Sequence, residues 1–160
     1  MTEIQEKVIP YLLDTDIDLI GLAQTGTGKT AAFGIPLIQK AIESDSNIAS
    51  IILCPTRELC KQIATDIEDY SKYCPIKVAA VYGGEDIKRQ ITKIQKGYDI
   101  IVGTPGRVMD LIKRKKIIPK NFDTAVLDEA DEMLNMGFRD DIEKILSKLY
   151  KKITPPSFLF

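Results

Sequence analysis

The chain has 160 residues, 44% hydrophobic and 28% charged, enough for one α/β domain with a sizeable core. Its net charge of -1 excludes bulk electrostatics as the route to a polyanion, so any such contact rests on local placement. With 0 His, it has no Ser-His or Cys-His nucleophile and no histidine metal site, and its 3 Cys (Cys54, Cys60, Cys74) lack metal spacing and read as small apolar residues.

Met1 to Leu13 carries Ile4, Val8, Ile9, Leu12 and Leu13 at helical spacing and predicts a short helix. Asp14 to Asp16 predicts a turn, and Ile17–Leu22 a first strand. Next comes Ala23-Gln24-Thr25-Gly26-Thr27-Gly28-Lys29-Thr30, followed by an apolar-periodic helix to about Glu43. Ile48 to Cys54 is a continuous apolar run, the pattern of a strand buried on both faces. A helix is expected from Glu58 to Tyr73, a third strand from Lys77 to Tyr82, and a helix from Ile87 to Ile94. Asp99–Val102 predicts a fourth strand, Val108–Lys113 a short helix, and Thr124–Leu127 a fifth strand. Phe138 to Tyr150 predicts a helix ended near Pro155-Pro156, and Ser157–Phe160 the start of a sixth strand. No apolar run is long enough to span a bilayer and the first residues form no signal peptide, so a soluble, cytoplasmic protein is expected.

Strands alternating with helices predict a three-layer α/β domain with a mainly parallel sheet. In such sheets ligands sit beyond the carboxyl ends of the strands. Every motif-like stretch of this chain falls there.

Strand, glycine turn and helix around Gly26 and Gly28 read as a phosphate-binding loop, the plainer reading being a glycine turn that caps an ordinary helix. The glycines let backbone N–H groups face an anion, and the helix start adds its own. Lys29 can reach the β- and γ-phosphates, and the Thr30 hydroxyl can ligate Mg²⁺. Asp128 ends an apolar strand, so its carboxylate can hold Mg²⁺ opposite Thr30, and Glu129 can orient or deprotonate a water aimed at the γ-phosphate. The competing reading is that Asp128-Glu129 caps the next helix with negative charge. Three further stretches share the edge: Pro55-Thr56-Arg57-Glu58-Leu59, Gly83-Gly84 and Thr104-Pro105-Gly106-Arg107. Helix starts and arginines bind phosphates without reading bases, although such stretches also serve as plain strand-to-helix punctuation. The run Lys113-Arg114-Lys115-Lys116 reads as a solvated helix end, as does Lys151-Lys152.

Together these residues resemble the first RecA-like domain of a DEAD-box ATP-dependent RNA helicase. The tetrad Asp128-Glu129-Ala130-Asp131 is the family's namesake, and the loop Ala23–Thr30 matches its A-x-T-G-x-G-K-T variant. The resemblance implies ATP and Mg²⁺ as cofactors, with Lys29, Asp128 and Glu129 catalytic and Glu129 the base. It implies that Gln5 reads the adenine edge and that Asp131 couples the ATP site to a second domain. Pro55, Thr56, Arg57, Gly83, Gly84, Thr104, Pro105, Gly106 and Arg107 match positions that hold the RNA backbone, with little sequence preference. Residues 1–160 then form one RecA-like domain. The family's Ser-Ala-Thr motif is expected after Phe160, and a second RecA-like domain beyond it, absent here, supplies arginines to the ATP site. The implied activity is ATP-driven local unwinding of RNA, with the isolated domain nearly inactive, monomeric and unattached to membranes. Two alternatives stay open: a non-catalytic ATP-dependent clamp, and a phosphate-loop enzyme acting on DNA or small molecules.

Overall fold

The computed structural model describes residues 1–15, 18–22, 26–44, 49–149 and 157–159, with 157–159 as backbone. Its elements are, in order, α1 (Glu3–Asp14), β1 (Leu19–Ile20), α2 (Lys29–Glu43), β2 (Ala49–Leu53), α3 (Arg57–Tyr70), β3 (Val78–Val81) and α4 (Ile87–Gln95). They continue with β4 (Ile100–Gly103), α5 (Pro105–Lys113), a 3-10 turn (Pro119–Asn121), β5 (Phe122–Leu127), α6 (Ala130–Asn135), α7 (Arg139–Leu149) and β6 (Ser157–Leu159).

The six strands form one sheet in the order β1-β6-β5-β2-β4-β3, with every described pairing parallel. Parallel strands need crossovers, and helices on both faces supply them. Alternation along the central strands sorts their side chains into two cores. Ile51, Leu53, Val81, Ile101, Ala125 and Leu127 face a cluster shared with α5, α6 and α7. Ile52, Val102 and Val126 face another, shared with α1, α2 and α3. This is the expected three-layer architecture.

Boundaries differ from the sequence reading where caps and packing outweigh periodicity. Arg57 already belongs to α3, because the Thr56 hydroxyl accepts from the Leu59 N–H at 3.2 Å. Pro105, at the first helical position where its missing N–H costs nothing, starts α5 three residues before Val108. The short helix α6 was not expected. Its residues Ala130 and Met133 are buried while Asp131 and Leu134 are exposed, too brief an apolar face to show as a period. The first strand as described is shorter than Ile17–Leu22: Leu19–Ile20 is paired, Gly21 and Leu22 lie past its end, and Ile17 lies outside the described residues. Ile48, Tyr150, Lys151-Lys152, Pro155-Pro156 and Phe160 lie outside them as well. Among the described residues no helix is long and apolar enough to cross a membrane.

Register aligns the carboxyl edge. Leu53 of β2 pairs with Gly103 of β4 and Leu127 of β5, and Val81 of β3 pairs with Gly103. The ladder runs one residue further: Thr104 N donates to Val81 O (3.1 Å), Cys54 N to Gly103 O (3.1 Å) and Asp128 N to Leu53 O (2.9 Å). Thr104 and Asp128, which begin their motifs, and Cys54, which precedes Pro55, are thereby fixed in one row. Gly103 is required by close approach, since a methyl there would lie 2.7 Å from Val81 Cγ2 and collide with Val108 of α5.

Candidate functional site

Strand order divides the row in two. Gly83-Gly84 follows β3, Thr104–Arg107 follows β4 and Pro55–Leu59 follows β2, so these stretches occupy three adjacent strand ends. The phosphate loop after β1 and the acidic tetrad after β5 occupy the other half. Strand spacing of about 4.8 Å puts the tips of β3 and β5 about 14 Å apart. The five motif-bearing strands are not all adjacent, however: β6 lies between β1 and β5. Nothing in Ser157–Leu159 signals that position, which follows from pairing alone.

In the nucleotide half, Gly26 and Gly28 take left-handed φ of 81° and 86°, and Gly28 caps α2. Ala23, Gln24 and Thr25 lie outside the described residues, while Thr27 is half-buried. Gln5 is half-buried, and both ends of its amide are engaged. Its Oε1 accepts from Thr2 N (3.0 Å) and its Nε2 donates to Gly28 O (3.2 Å). Gln5 therefore ties α1 to the phosphate loop, and a methyl on Gly28 would collide with its amide. A hollow of about 550 Å³ opens beside it, lined by Thr2, Glu3, Ile4, Lys7, Leu22 and Thr27, within the size range of a small-molecule site. A second hollow of about 370 Å³ lies at the opposite edge, where Lys40 is already paired with Asp123 (3.2 Å) and Thr124 (2.8 Å).

Lys29 and Asp128 converge across these strands. Lys29 Nζ stands 3.9 Å from Asp128 Oδ1, with 11% and 6% of the side chains exposed. Asp128 Oδ1 is buried and has no hydrogen-bond partner among the described residues. Burial raises the Asp128 carboxyl to about 6, against the opposing pull of Lys29 and the Glu129 N–H; Glu129 adds repulsion. Desolvation outweighs the ion pair because 3.9 Å is a loose contact. An orphaned carboxylate oxygen beside a helix start fits a cation bridging it to an anionic ligand. Thr30 follows Lys29 in the first turn of α2. Among the described residues no three carboxylate or thiol side chains converge to cage a metal.

Glu129 caps α6 with φ 53° and ψ 49°, a left-handed conformation that costs a non-glycine residue about 1–2 kcal/mol. Such strain persists where the surroundings hold it, commonly at functional sites. Asp131 is exposed in the first turn of α6.

In the other half, Pro55 is buried and Thr56 is spent on its cap. Exposed Arg57 donates to Gly84 O (3.3 Å) and lies 5.3 Å from the Tyr82 ring centre, with Lys61 Nζ 5.4 Å from the same ring. Thr104 precedes α5, Pro105 is buried and Gly106 exposed. Arg107 is half-buried and bonded to Glu85 O and Gln90. Sequence reasoning missed Tyr82 and Gln90. The available signal was a glutamine on the apolar face of α4, in step with Ile87 and Ile94.

A glycine-bearing loop opening a helix, opposed by a strand-end carboxylate on a parallel sheet, defines a phosphate-loop nucleotide-binding domain. The DEAD/DEAH box helicase family model matches residues 2–160, and the chain belongs to that family. It is 53% identical over 148 residues to the ATP-dependent RNA helicase CshA of Listeria monocytogenes, covering 92% of this chain and 28% of that one. The DEAD-box ATP-dependent RNA helicase CshA of Bacillus subtilis is also 53% identical over 148 residues, 92% of this chain and 30% of that one. The chain thus spans less than a third of these relatives. Among solved structures, a DEAD box protein from Methanococcus jannaschii superposes with a TM-score of 0.90 at 46% identity, over 99% of this chain and 43% of that one. The yeast DEAD-box splicing factor Prp28 superposes at 0.91 with 32% identity, over 100% of this chain and 40% of that one.

Proposed function

We propose that this chain is the ATP-binding RecA-like domain of an ATP-dependent RNA helicase, working with a second such domain of the same protein. The observation that carries the reading is the Lys29–Asp128 pair with its orphaned oxygen, on a sheet edge whose other half gathers two arginines, Arg57 and Arg107.

In this reading the N–H groups of Gly26–Lys29 and the start of α2 cradle the phosphates of ATP. Lys29 sets its ammonium against the β- and γ-oxygens. Asp128 and the Thr30 hydroxyl would hold Mg²⁺, which when bound neutralises charge on the phosphate oxygens. Glu129, fixed at the head of α6, orients a water and takes its proton. Gln5 sets the height of the loop and lines up the base with the hollow at Ile4 and Leu22. Asp131, exposed on α6, faces the partner domain. Residues Pro55–Arg57, Gly83-Gly84 and Thr104–Arg107 together form the edge that holds RNA by its backbone, which implies little sequence preference. An arginine supplied by the second domain is worth ~10³–10⁵ in rate, so the lone domain hydrolyses ATP slowly.

The test compares RNA-stimulated ATP hydrolysis by the full-length protein with that of Glu129→Gln. Hydrolysis should fall by about 10²–10⁴ while nucleotide binding persists. Unchanged hydrolysis removes Glu129 from the chemistry, and no hydrolysis in either protein leaves an ATP-dependent clamp.

A further inference from the structure

Gln90 is a buried polar side chain that none of the recognised motifs contains. It lies in the first turn of α4 and is 1% exposed. A buried amide is costly unless its atoms are paired. Here both are. Nε2 donates to Tyr82 O (3.0 Å) and to a Glu85 carboxylate oxygen (3.0 Å), and Oε1 accepts from Arg107 Nη1 (2.8 Å). The amide can sit only this way round, because a guanidinium only donates and a carbonyl only accepts.

The same turn is gripped from two further directions. Arg107 donates to Glu85 O through Nη1 (3.3 Å) and Nη2 (3.2 Å), and Arg57 donates to Gly84 O (3.3 Å). In a planar trans peptide the N–H points opposite to the carbonyl of the preceding residue. With the carbonyls of Tyr82, Gly84 and Glu85 turned toward Gln90, Arg57 and Arg107, the N–H groups of Gly83, Glu85 and Asp86 face the other way. Gly83 and Gly84 are exposed, and nothing lies within 4 Å of a side chain built at Gly83. The carbonyls of Tyr82, Gly84 and Glu85, which would repel an anion, are occupied, and among the described residues the N–H groups of Gly83, Glu85 and Asp86 have no partner that would keep them from one.

We propose that Gln90 is a positioning residue of the nucleic-acid edge: it locks the Gly83–Glu85 turn and Arg107 into one arrangement that offers backbone N–H groups to a phosphate of single-stranded RNA. Arg107 then acts on RNA through this turn. The inference rests on the reading of this edge as the RNA-binding half.

The experiment measures binding of fluorescent oligouridylate to the full-length protein with a non-hydrolysable ATP analogue, across a salt series, and binding of fluorescent ADP in parallel. The variants are Gln90→Met, which keeps volume and helix propensity, Arg107→Met and the double variant. Each single change should weaken oligouridylate about tenfold, with ADP affinity unmoved. The double should be no worse than the weaker single, because both break one unit. The salt slope of Arg107→Met should match wild type. A slope lower by about 0.7 would make Arg107 a direct phosphate contact and overturn the proposal. Additive losses, or equal losses for ADP, would overturn it too. If Gln90→Met does not fold, Gln90→Glu serves instead. It sets two carboxylates together and leaves the Tyr82 carbonyl without its donor, so it should weaken oligouridylate; adding Glu85→Gln should restore only the part due to repulsion, because an amide at 85 can donate to the carboxylate at 90 but nothing at 90 then donates to Tyr82 O. No recovery counts against the proposal. Wild-type protein that ignores oligouridylate refutes the underlying reading instead.

Discussion

Asp128 offers the sharpest test, because its function and its contribution to stability have opposite signs. Its carboxyl is raised by burial from 3.8 to about 6. The folded chain therefore holds this proton at a pH where the unfolded chain has released it. Stability from this group is fully present below about pH 4 and is lost as pH rises to about 6. A shift of about 2 units corresponds to about 3 kcal/mol. Asp128→Asn removes the buried charge while keeping the shape. After allowing for burial of the asparagine amide, a net gain of about 1.5 kcal/mol is expected at pH 7.5 without metal. For a chain of this length that raises Tm by about 3–6 °C. Urea unfolding followed by circular dichroism in chelator, at pH 4.5 and 7.5, reads the effect. The advantage of the variant should grow across that interval and stay flat above pH 6. Added ATP and Mg²⁺ should stabilise wild type more than the variant. A variant no more stable at pH 7.5, or equally favoured at both pH values, refutes the argument that desolvation dominates at this carboxylate.

Lys29→Ala should abolish the Tm rise produced by ATP, worth about 2.7 kcal/mol at a hundredfold excess over Kd; an unchanged shift removes Lys29 from the phosphate site. Gln5→Ala frees the phosphate loop from α1 as well as any base contact, so it should weaken ATP and GTP alike, with a further loss for ATP; no effect on GTP would deny Gln5 its role in holding Gly28. Gly103→Ala drives a methyl into Val81 and Val108, two stiff branched side chains, and should cost about 1–3 kcal/mol by chemical denaturation. Thr56→Ala removes the α3 cap and should cost about 1 kcal/mol, and a larger fall in RNA affinity than in stability would give its hydroxyl a second task.

Periodicity and punctuation alone located six strands, the main helices and every motif at a strand end, because a parallel α/β chain writes its buried strands as apolar runs and its ligand edge as glycine, proline and hydroxyl breaks. The glycine loop with Lys29-Thr30, and the acid after the fifth apolar run, were legible for that reason. Two things were decided only by the folded chain. One is strand order, set by which edges pair and which faces are covered. It sorts β3, β4 and β2 into one half of the edge, and it inserts β6 between β1, which precedes the phosphate loop, and β5, which leads into Asp128. The other is the assignment of polar partners over long range: Gln5 to Gly28, Arg57 to Gly84, Gln90 to Arg107. Such bonds join residues 17 to 27 positions apart, and no local pattern encodes them. Only packing brings these groups out of water, and only then does each have to find its mate.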